Sequence, residues 1–299
     1  MVVDRSLSSR LVGLAVHAVI AVVLITTIFP VLNILSNSVS ETYHIIAGHV
    51  SFFPVGFSLK HYSILFMDPM IPRSFLNSVL ITLLGTAVNL AFTVTMAYPL
   101  AKRRLPFRRI FTVMIVVTMF FSGGLIPRFM VVRALGMYDT FLALTVPIAI
   151  SAFNLLVLRT FFKQVPEEME ESAFLEGAKE TTVLVRIVMP LAKAGVATIA
   201  LFYAVSHWNA FFDAMIYLYD TRKYPMQLVL RDIVMRTEMA RLSFMQDQYG
   251  RNDLMEQEAV AIQGIKYGLI AITMLPMLIL YPFIQRYFVK GVMIGSLKD

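Results

Sequence analysis

The sequence of 299 residues contains no cysteine and is poor in charge, since only 15% of its residues are Asp, Glu, Lys or Arg. Soluble globular proteins average roughly 25% charged and about 45–50% apolar residues, whereas 58% of this chain is hydrophobic. The lack of cysteine excludes a disulfide-stapled domain, and the apolar content excludes a disordered chain. A soluble protein of this length could not bury so much apolar surface, so the composition predicts a membrane protein.

Six long apolar segments predict an all-α fold, an integral membrane bundle of six transmembrane helices. A helix needs about 20 mostly apolar residues to cross a hydrocarbon core of roughly 30 Å. The first segment is too long for the h-region of a signal peptide and no cleavage site follows it closely, so it is interpreted as a retained membrane helix. The segments are roughly Leu11–Leu35, Ser74–Tyr98, Ile110–Ile126 (interrupted by Gly123-Gly124), Thr140–Leu158, Gly195–Leu218 and Tyr267–Gln285. Residues 1–299 are therefore predicted to form a single transmembrane domain.

Basic residues indicate the orientation, because short cytoplasmic loops of membrane proteins collect Lys and Arg. The loop Leu100–Arg109 holds five Lys and Arg in ten residues, which places it in the cytoplasm. Both termini then lie in the cytoplasm, with a long cytoplasmic loop at about residues 159–194 and a long external loop at about residues 219–266. The net charge of +7 follows largely from this topology and gives no reason to expect a nucleic-acid partner.

The long cytoplasmic loop is predicted to form a helix–turn–helix. Pro166 suits the first helical position, and the acidic residues after it suit the positive end of a helix dipole. Gly177 is expected to end this helix as a C-terminal cap. Thr181 or Thr182 is expected to cap a second short helix that stops at Pro190.

The first of these two helices combines apolar and acidic side chains on a predicted water-facing loop. It is consistent with docking into the groove of a protein partner and, equally, with a connector that contacts only lipid headgroups. An acidic helix is a poor match for an anionic membrane surface, which favours the protein partner. The apolar candidates are Met169, Ala173 and Phe174, and the acidic candidates are Glu170, Glu171 and Glu176.

A fixed-spacing motif in this loop resembles the EAA signature of ABC importer permeases. That signature is EAA, three residues, G, nine residues and I-x-L-P. The corresponding residues are Glu171-Ser172-Ala173, Gly177 and Ile187-Val188-Met189-Pro190. Ser172 and Met189 depart from the signature, and both replacements are close in size to the usual residue.

The resemblance extends over nearly the whole chain. The helix layout, the segment His207-Trp208-Asn209 and the ending Gly291–Gly295 are similar to the carbohydrate-uptake group, and within it to the smaller permease of the maltose importer. The segments Phe120–Pro127 and Tyr287–Gly291 are similar to a subgroup that imports oligosaccharides, including alginate fragments.

The resemblance implies a permease subunit of an ATP-driven importer in the bacterial inner membrane, working by alternating access. A second permease subunit, two ATP-binding cassette ATPase subunits and an extracytoplasmic sugar-binding protein are implied as partners. The chain itself is then no enzyme and holds no cofactor or metal, since ATP and magnesium belong to the ATPase subunits, and it has no GxxxxGK[ST] loop of its own. The implied ATPase-coupling residues are Glu170, Glu171, Ala173, Phe174, Glu176, Gly177, Ala178, Ile187 and Pro190.

Polar residues within apolar segments are candidates for a sugar pathway, because a buried polar group in a membrane is costly unless it is used. Asn209 and Asp213 are four residues apart and are expected on one face of the fifth helix. Each candidate also has a structural interpretation, as an interfacial anchor or as a hydrogen bond between helices. The candidates are Trp208, Asn209, Asp213, Asn89 and Asn154.

Two other classes of function remain open at this point. An ATP-independent secondary transporter or channel predicts an inverted repeat, broken helices or buried titratable residues. Asp213 alone gives this class slight support, and the class leaves the fixed-spacing cytoplasmic loop unexplained. A membrane-embedded enzyme predicts clustered acid–base or metal-ligating residues, and the sequence shows no such cluster.

Overall fold

The structure is a computed structural model that describes residues 7–246 and 263–282. These residues form two compact units, one made of residues 7–69, 230–246 and 263–274, and the other made of residues 70–229 and 275–282. The predicted all-α fold is confirmed over the described residues, which contain helices and one isolated β-bridge.

The helices occur in the following order along the chain. The first six are α1 (Leu7–Ser38), α2 (Thr42–Ile46), α3 (Lys60–Met67), α4 (Met70–Ala101), α5 (Arg108–Phe120) and α6 (Leu125–Ala134). Two 3₁₀ turns, Phe141–Leu144 and Val146–Ile148, precede α7 (Ala152–Phe162) and α8 (Glu167–Leu175). Then come α9 (Glu180–Val183), a π-helical segment Leu184–Val188, α10 (Met189–Leu191), α11 (Lys193–Asn209) and α12 (Phe212–Tyr217). A 3₁₀ turn, Thr221–Lys223, leads to α13 (Met226–Gln246), and α14 covers Gln263–Pro282.

Three described helices are long and apolar enough to cross a membrane on their own, namely Leu11–Ser38, α4 and α14. Three bent helix pairs also pass the test of length and composition, which gives up to six spans if each pair crosses once. The pairs are α5 with α6, bent by 112°, the 3₁₀ turns with α7, bent by 56°, and residues 180–191 with α11, bent by 89°. All six predicted segments overlap these elements.

The third predicted segment is broken where its two glycines stand. α5 ends at Phe120 and α6 begins at Leu125. Gly124 between them has a φ of +81°, a left-handed conformation that residues with a Cβ rarely adopt. The predicted interruption is therefore confirmed, and it is a sharp turn rather than a mild kink.

The fifth predicted segment is shorter than expected, and the prediction of one helix through Leu218 is wrong. α11 ends at Asn209, and the backbone of Ala210 is extended, with φ −73° and ψ 121°. The chain leaves the helix here, and Asp213 reaches Arg128 of α6. Asn209 and Asp213 consequently do not share one face of a helix.

The larger unit is built on the packing of α4 against α7 and α11. Its core contains fully buried aliphatic side chains, including Leu155 and Leu158 of α7 and Ile199 of α11. Small residues allow close approach of these helices, as is usual in membranes. Gly85 of α4 lies against the His207 ring, and Gly195 of α11 lies against the Phe161 ring.

Hydrogen bonds and an ion pair of Asp139 stabilise the turn that follows α12. Asp139 has a left-handed backbone with φ +58°, and its Oδ1 accepts hydrogen bonds of 3.0 Å from the N–H groups of Tyr219 and Asp220. Its Oδ2 lies 2.6 Å from Nζ of Lys223. The hydrogen bond from Lys223, helped by the two backbone donors, lowers the pKa of Asp139 from 3.8 to about 2.

Asp139→Asn is expected to lower the Tm at neutral pH, because it removes the charge while tolerating the left-handed backbone. The pKa of Asp139 in the folded state lies below its value in the unfolded state. The carboxylate therefore makes its full contribution to the stability of the folded state above about pH 4. That contribution is lost as the pH falls from 3.8 towards about 2. Thermal unfolding of both proteins across this range checks the prediction. The Tm difference should shrink in acid, and a difference independent of pH would contradict it.

The smaller unit contains the segment between α1 and α3. Tyr62 of α3 donates a hydrogen bond of 2.9 Å to Ser38, and Thr42 lies 2.8 Å from Nε2 of His61. The His61 ring packs against Gly264 at the start of α14. Burial, assisted by the charge of Lys60, lowers the pKa of His61, so the ring is neutral at neutral pH.

Candidate coupling site

The sequence of α8 explains its position along the chain. The helix begins at Glu167, directly after Pro166, whose fixed φ suits a helix start. Its first turn carries Glu167, Glu168 and Glu170, which favour the positive end of the helix dipole.

The end of α8 is a Schellman motif, which confirms the predicted glycine cap. Gly177 has a φ of +84°. Its N–H donates to the carbonyl of Phe174 at 3.0 Å, and the N–H of Ala178 donates to the carbonyl of Ala173 at 2.9 Å. Ala173 and Ala178 belong to the same apolar cluster, a contact that frequently accompanies this motif.

The second helix of the loop differs from the prediction at both ends. Lys179, not a threonine, occupies the N-cap, and no side chain caps the helix. Thr181 and Thr182 lie inside the helix. The helix also continues through Pro190 to Leu191, because Pro190 stands in the first turn of α10, where a missing N–H is tolerated after the π-helical segment.

A buried ion pair joins α8 to the end of α4. Nζ of Lys102 pairs with Oε1 of Glu170, and their side chains are only 11% and 5% exposed. The ammonium of Lys102 also lies 4.8 Å from the centre of the Tyr98 ring. Moving α8 away would leave each of these two buried charges without its partner, which is costly. The contact therefore fixes the position of α8 on α4.

A second set of contacts extends this connection to α9. The hydroxyl of Tyr98 lies 3.0 Å from Oε2 of Glu180 and 3.4 Å from Oε2 of Glu170. Arg104 pairs with Glu180 and places its guanidinium 4.8 Å from the centre of the Phe174 ring. Tyr98, Lys102, Arg104, Glu170 and Glu180 thus form one group, the α4–α8–α9 network.

The network shows which side of α8 is free. In this structure Glu170 and Ala173 are buried and Phe174 packs on the core, and the part that these three residues take in coupling stays a prediction. The exposed residues of α8 and its C-cap are Glu167, Glu168, Met169, Glu171, Ser172, Leu175 and Glu176, with Leu175 90% exposed.

The remaining candidates for coupling lie close to this group. Gly177 is exposed in the turn and Ala178 is half-buried. Ile187 packs against the core from the π-helical segment, and Pro190 is exposed in α10. A cavity of about 450 Å³ separates the end of α4 from α9, with Tyr98 and Leu184 among its lining residues.

Three of the five predicted pathway residues have packing or backbone contacts. Trp208 is buried and its ring lies 5.7 Å from that of Phe75, edge to face. The amide of Asn89 donates to the carbonyl of Ile148 at 3.0 Å, which joins α4 to a 3₁₀ turn. Asn154 is buried in the first turn of α7, where its N–H bonds to the Ser151 hydroxyl.

The other two predicted pathway residues are more accessible. Asn209 is exposed at the end of α11. Asp213 is half-buried and pairs with Arg128 at 2.9 Å, and this guanidinium lies 5.9 Å from the centre of the Tyr217 ring. The sequence analysis did not select Arg128. An arginine just after a glycine break in an apolar segment is nevertheless a candidate functional residue, because a charge is costly there.

Titratable residues do not gather into a metal site among residues 7–246 and 263–282, since no group of three His, Asp or Glu there is placed to hold an ion. The similar ending at Gly291–Gly295 and the segment Tyr287–Gly291 lie outside the described residues.

Known proteins resemble this chain over almost its full length, although no family model matches it. It is 43% identical over 272 residues to protein LplC of Bacillus subtilis, which covers 91% of this chain and 90% of LplC. It is 36% identical over 292 residues to the polygalacturonan/rhamnogalacturonan transport system permease protein YtcP of the same organism, covering 98% of this chain and 100% of YtcP. The fold matches a chain in the crystal structure of a bacterial ABC transporter involved in the import of the acidic polysaccharide alginate, with a TM-score of 0.84, 29% identity and coverage of 95% of this chain and 99% of that chain. The resemblance carried by the motif is thereby confirmed, and the chain belongs to the permease subunits of ABC-type sugar transport systems.

Proposed function

We propose that this permease imports oligosaccharides that carry acidic groups. The relative YtcP is named for polygalacturonan and rhamnogalacturonan, and the structural neighbour takes part in the import of alginate. An acidic sugar needs a cation along its path. Arg128, which pairs with Asp213, can supply this cation, because it is partly exposed and lies in the apolar pair of helices α5 and α6.

The proposed complex contains a second permease subunit, two ATPase subunits and an extracytoplasmic sugar-binding protein. ATP and magnesium are held by the ATPase subunits, so this chain needs no cofactor. The five basic residues between Leu100 and Arg109 favour an orientation in the bacterial inner membrane with this segment, α8, α9 and both termini in the cytoplasm.

The observation that carries the proposal of ATP-driven import is the α4–α8–α9 network. An ATPase that grips the exposed side of α8 displaces Glu170, and the buried pair with Lys102 transfers this displacement to α4, a membrane-spanning helix. Rigid elements with two stable arrangements transmit motion in this way. The inward-facing and outward-facing arrangements then differ in free energy through their contacts with the ATPase.

Within the pathway, Asn209 and Asp213 are the accessible members of the predicted set and the proposed contacts for sugar hydroxyls, and Arg128, paired with Asp213, is the proposed contact for the acidic groups. We assign Trp208, Asn89 and Asn154 to the walls behind them, where they hold the helices that line the path.

Glu171→Lys is expected to lower sugar-stimulated ATP hydrolysis by the reconstituted complex roughly tenfold, because a reversed charge opposes the partner's surface. Glu171 is exposed and has no ion-pair partner among the described residues, so the Tm should not change. Glu41→Lys, which reverses an exposed charge in the smaller unit, serves as the control and should keep full activity. Wild-type co-purification of the ATPase subunits and full stimulation with Glu171→Lys would contradict the proposed contact.

A further inference from the structure

Four cationic side chains meet where α4 ends, α5 begins and α7 ends. Nε of Arg159 and Nη1 of Arg108 donate hydrogen bonds of 2.9 Å and 3.4 Å to backbone carbonyls at and just after the end of α4. Arg103 is exposed in the loop after α4, and Lys163 is exposed at the C-cap of α7. Partial desolvation and the charges of these three arginines lower the pKa of Lys163, so the four groups lie within electrostatic reach of one another.

No acidic side chain of the described residues forms an ion pair with this cation cluster. None of its four members takes part in an ion pair there. The acidic residues of the neighbouring network are already used, since Glu170 pairs with Lys102 and Glu180 pairs with Arg104. The C-terminal end of α4 contributes only about half a negative charge. Four like charges brought together in this way favour the binding of an external anion.

We propose that the cation cluster binds the phosphate headgroup of an anionic phospholipid. The site lies at the end of α4, which is long and apolar enough to cross a membrane, and at the ends of α5 and α7, which belong to bent pairs that also qualify. Headgroups stand at the ends of such helices, and basic pockets between them are complementary to anionic lipids. The choice of the cytoplasmic leaflet rests on the orientation given under the proposed function.

An apolar surface next to the cluster distinguishes a lipid from free phosphate. α5 begins at Arg108 and continues with exposed apolar side chains, of which Ile110 is 56% exposed, Phe111 45% and Met114 59%. Acyl chains attached to a headgroup at the cluster would cover this face. Free phosphate would leave this apolar face uncovered, and binding of an acidic protein surface to the cluster does not depend on an apolar face.

The test uses the assembled complex in lipid nanodiscs that contain phosphatidylcholine and increasing fractions of phosphatidylglycerol. The variant Arg103→Gln/Lys163→Gln removes the two exposed cations and leaves the two that bond to backbone carbonyls. The control Arg73→Gln/Arg133→Gln also removes two exposed arginines, one of them at the other end of α4. Mass spectrometry of the purified complex counts the phosphatidylglycerol molecules that it retains.

Wild-type protein and the control should retain phosphatidylglycerol in preference to phosphatidylcholine. The cluster variant should bind it roughly 10- to 30-fold more weakly, since each cation near a membrane surface contributes several-fold. Equal loss in both variants, or no loss in the cluster variant, would overturn the proposal. Displacement of the lipid by inorganic phosphate would assign the site to free phosphate, and loss of the ATPase subunits with lipid retention unchanged would assign it to a protein. Sugar-stimulated ATP hydrolysis, measured on the same samples, reports separately on the transport function, because lipid retention requires neither sugar nor ATP.

Discussion

Lys102→Met is expected to lower the free energy of unfolding by about 3–5 kcal/mol, because it leaves the buried carboxylate of Glu170 without a partner. The same change should uncouple sugar transport from ATP hydrolysis, since α8 would no longer be fixed to α4. Thermal unfolding of the purified protein gives the first quantity. Sugar-stimulated ATP hydrolysis and sugar uptake in proteoliposomes give the second.

The network contains a matched control for this prediction. Arg104 and Glu180 form an ion pair with side chains 56% and 57% exposed, and an exposed pair contributes only about 0–1 kcal/mol. Arg104→Met should therefore change stability little. The double variant Lys102→Met/Glu170→Met, which leaves no lone buried charge, should recover most of the stability. Equal costs for Lys102→Met and Arg104→Met would contradict the importance given to the buried pair.

Gly85→Ala is expected to destabilise the packing of α4 on α11 by about 1–3 kcal/mol, the usual cost of forcing extra volume into a tight core. A Cβ at this position would collide with the His207 ring, which is itself buried. The measurement is the Tm of the purified permease, with transport activity as a second readout.

Two variants test the cause of this loss. Gly13→Ala places the same methyl group in α1 where nothing lies within 4 Å, so it should not lower the Tm. His207→Ala opens space opposite Gly85, so Gly85→Ala should cost less in that background than in the wild type. An equal cost in both backgrounds would show that the collision is not the reason for the loss.

The sequence predicts those parts of the structure that depend on local rules. Apolar run length locates the membrane-spanning elements, because the thickness of the bilayer sets their length. The acidic first turn and Gly177 locate α8, because dipole and cap preferences act within a few residues.

Hydropathy does not predict the break after Asn209. The run from Gly195 to Leu218 is mostly apolar, and its few polar residues give no sign of where a helix yields to extended backbone. The break brings Asp213 to Arg128, a partner 85 residues away in the sequence. Only the folded arrangement supplies that contact.

The α4–α8–α9 network also lies beyond local rules. Lys102 and Arg104 count in the sequence only as indicators of orientation, and their acidic partners are 68 and 76 residues away. One signal for it exists in α8, where Glu170 shares a face with Ala173 and Phe174 at the i, i+3 and i+4 positions. An acidic side chain on the buried face of a helix predicts a buried cation, because a lone buried carboxylate is too costly.

The central claim is that an ATPase on separate subunits drives this permease through the exposed side of α8. Because the chain has no cysteine, Leu175→Cys creates a single thiol on a side chain that is 90% exposed. A photoreactive group attached to this thiol should form an adduct with an ATP-hydrolysing subunit of the intact complex, and the yield should change when ATP binds. In whole cells a membrane-impermeant thiol reagent should label Leu135→Cys, which the proposed topology places outside, and should not label Leu175→Cys. Labelling of Leu175→Cys from outside, or an adduct that contains no ATPase subunit, would contradict the account.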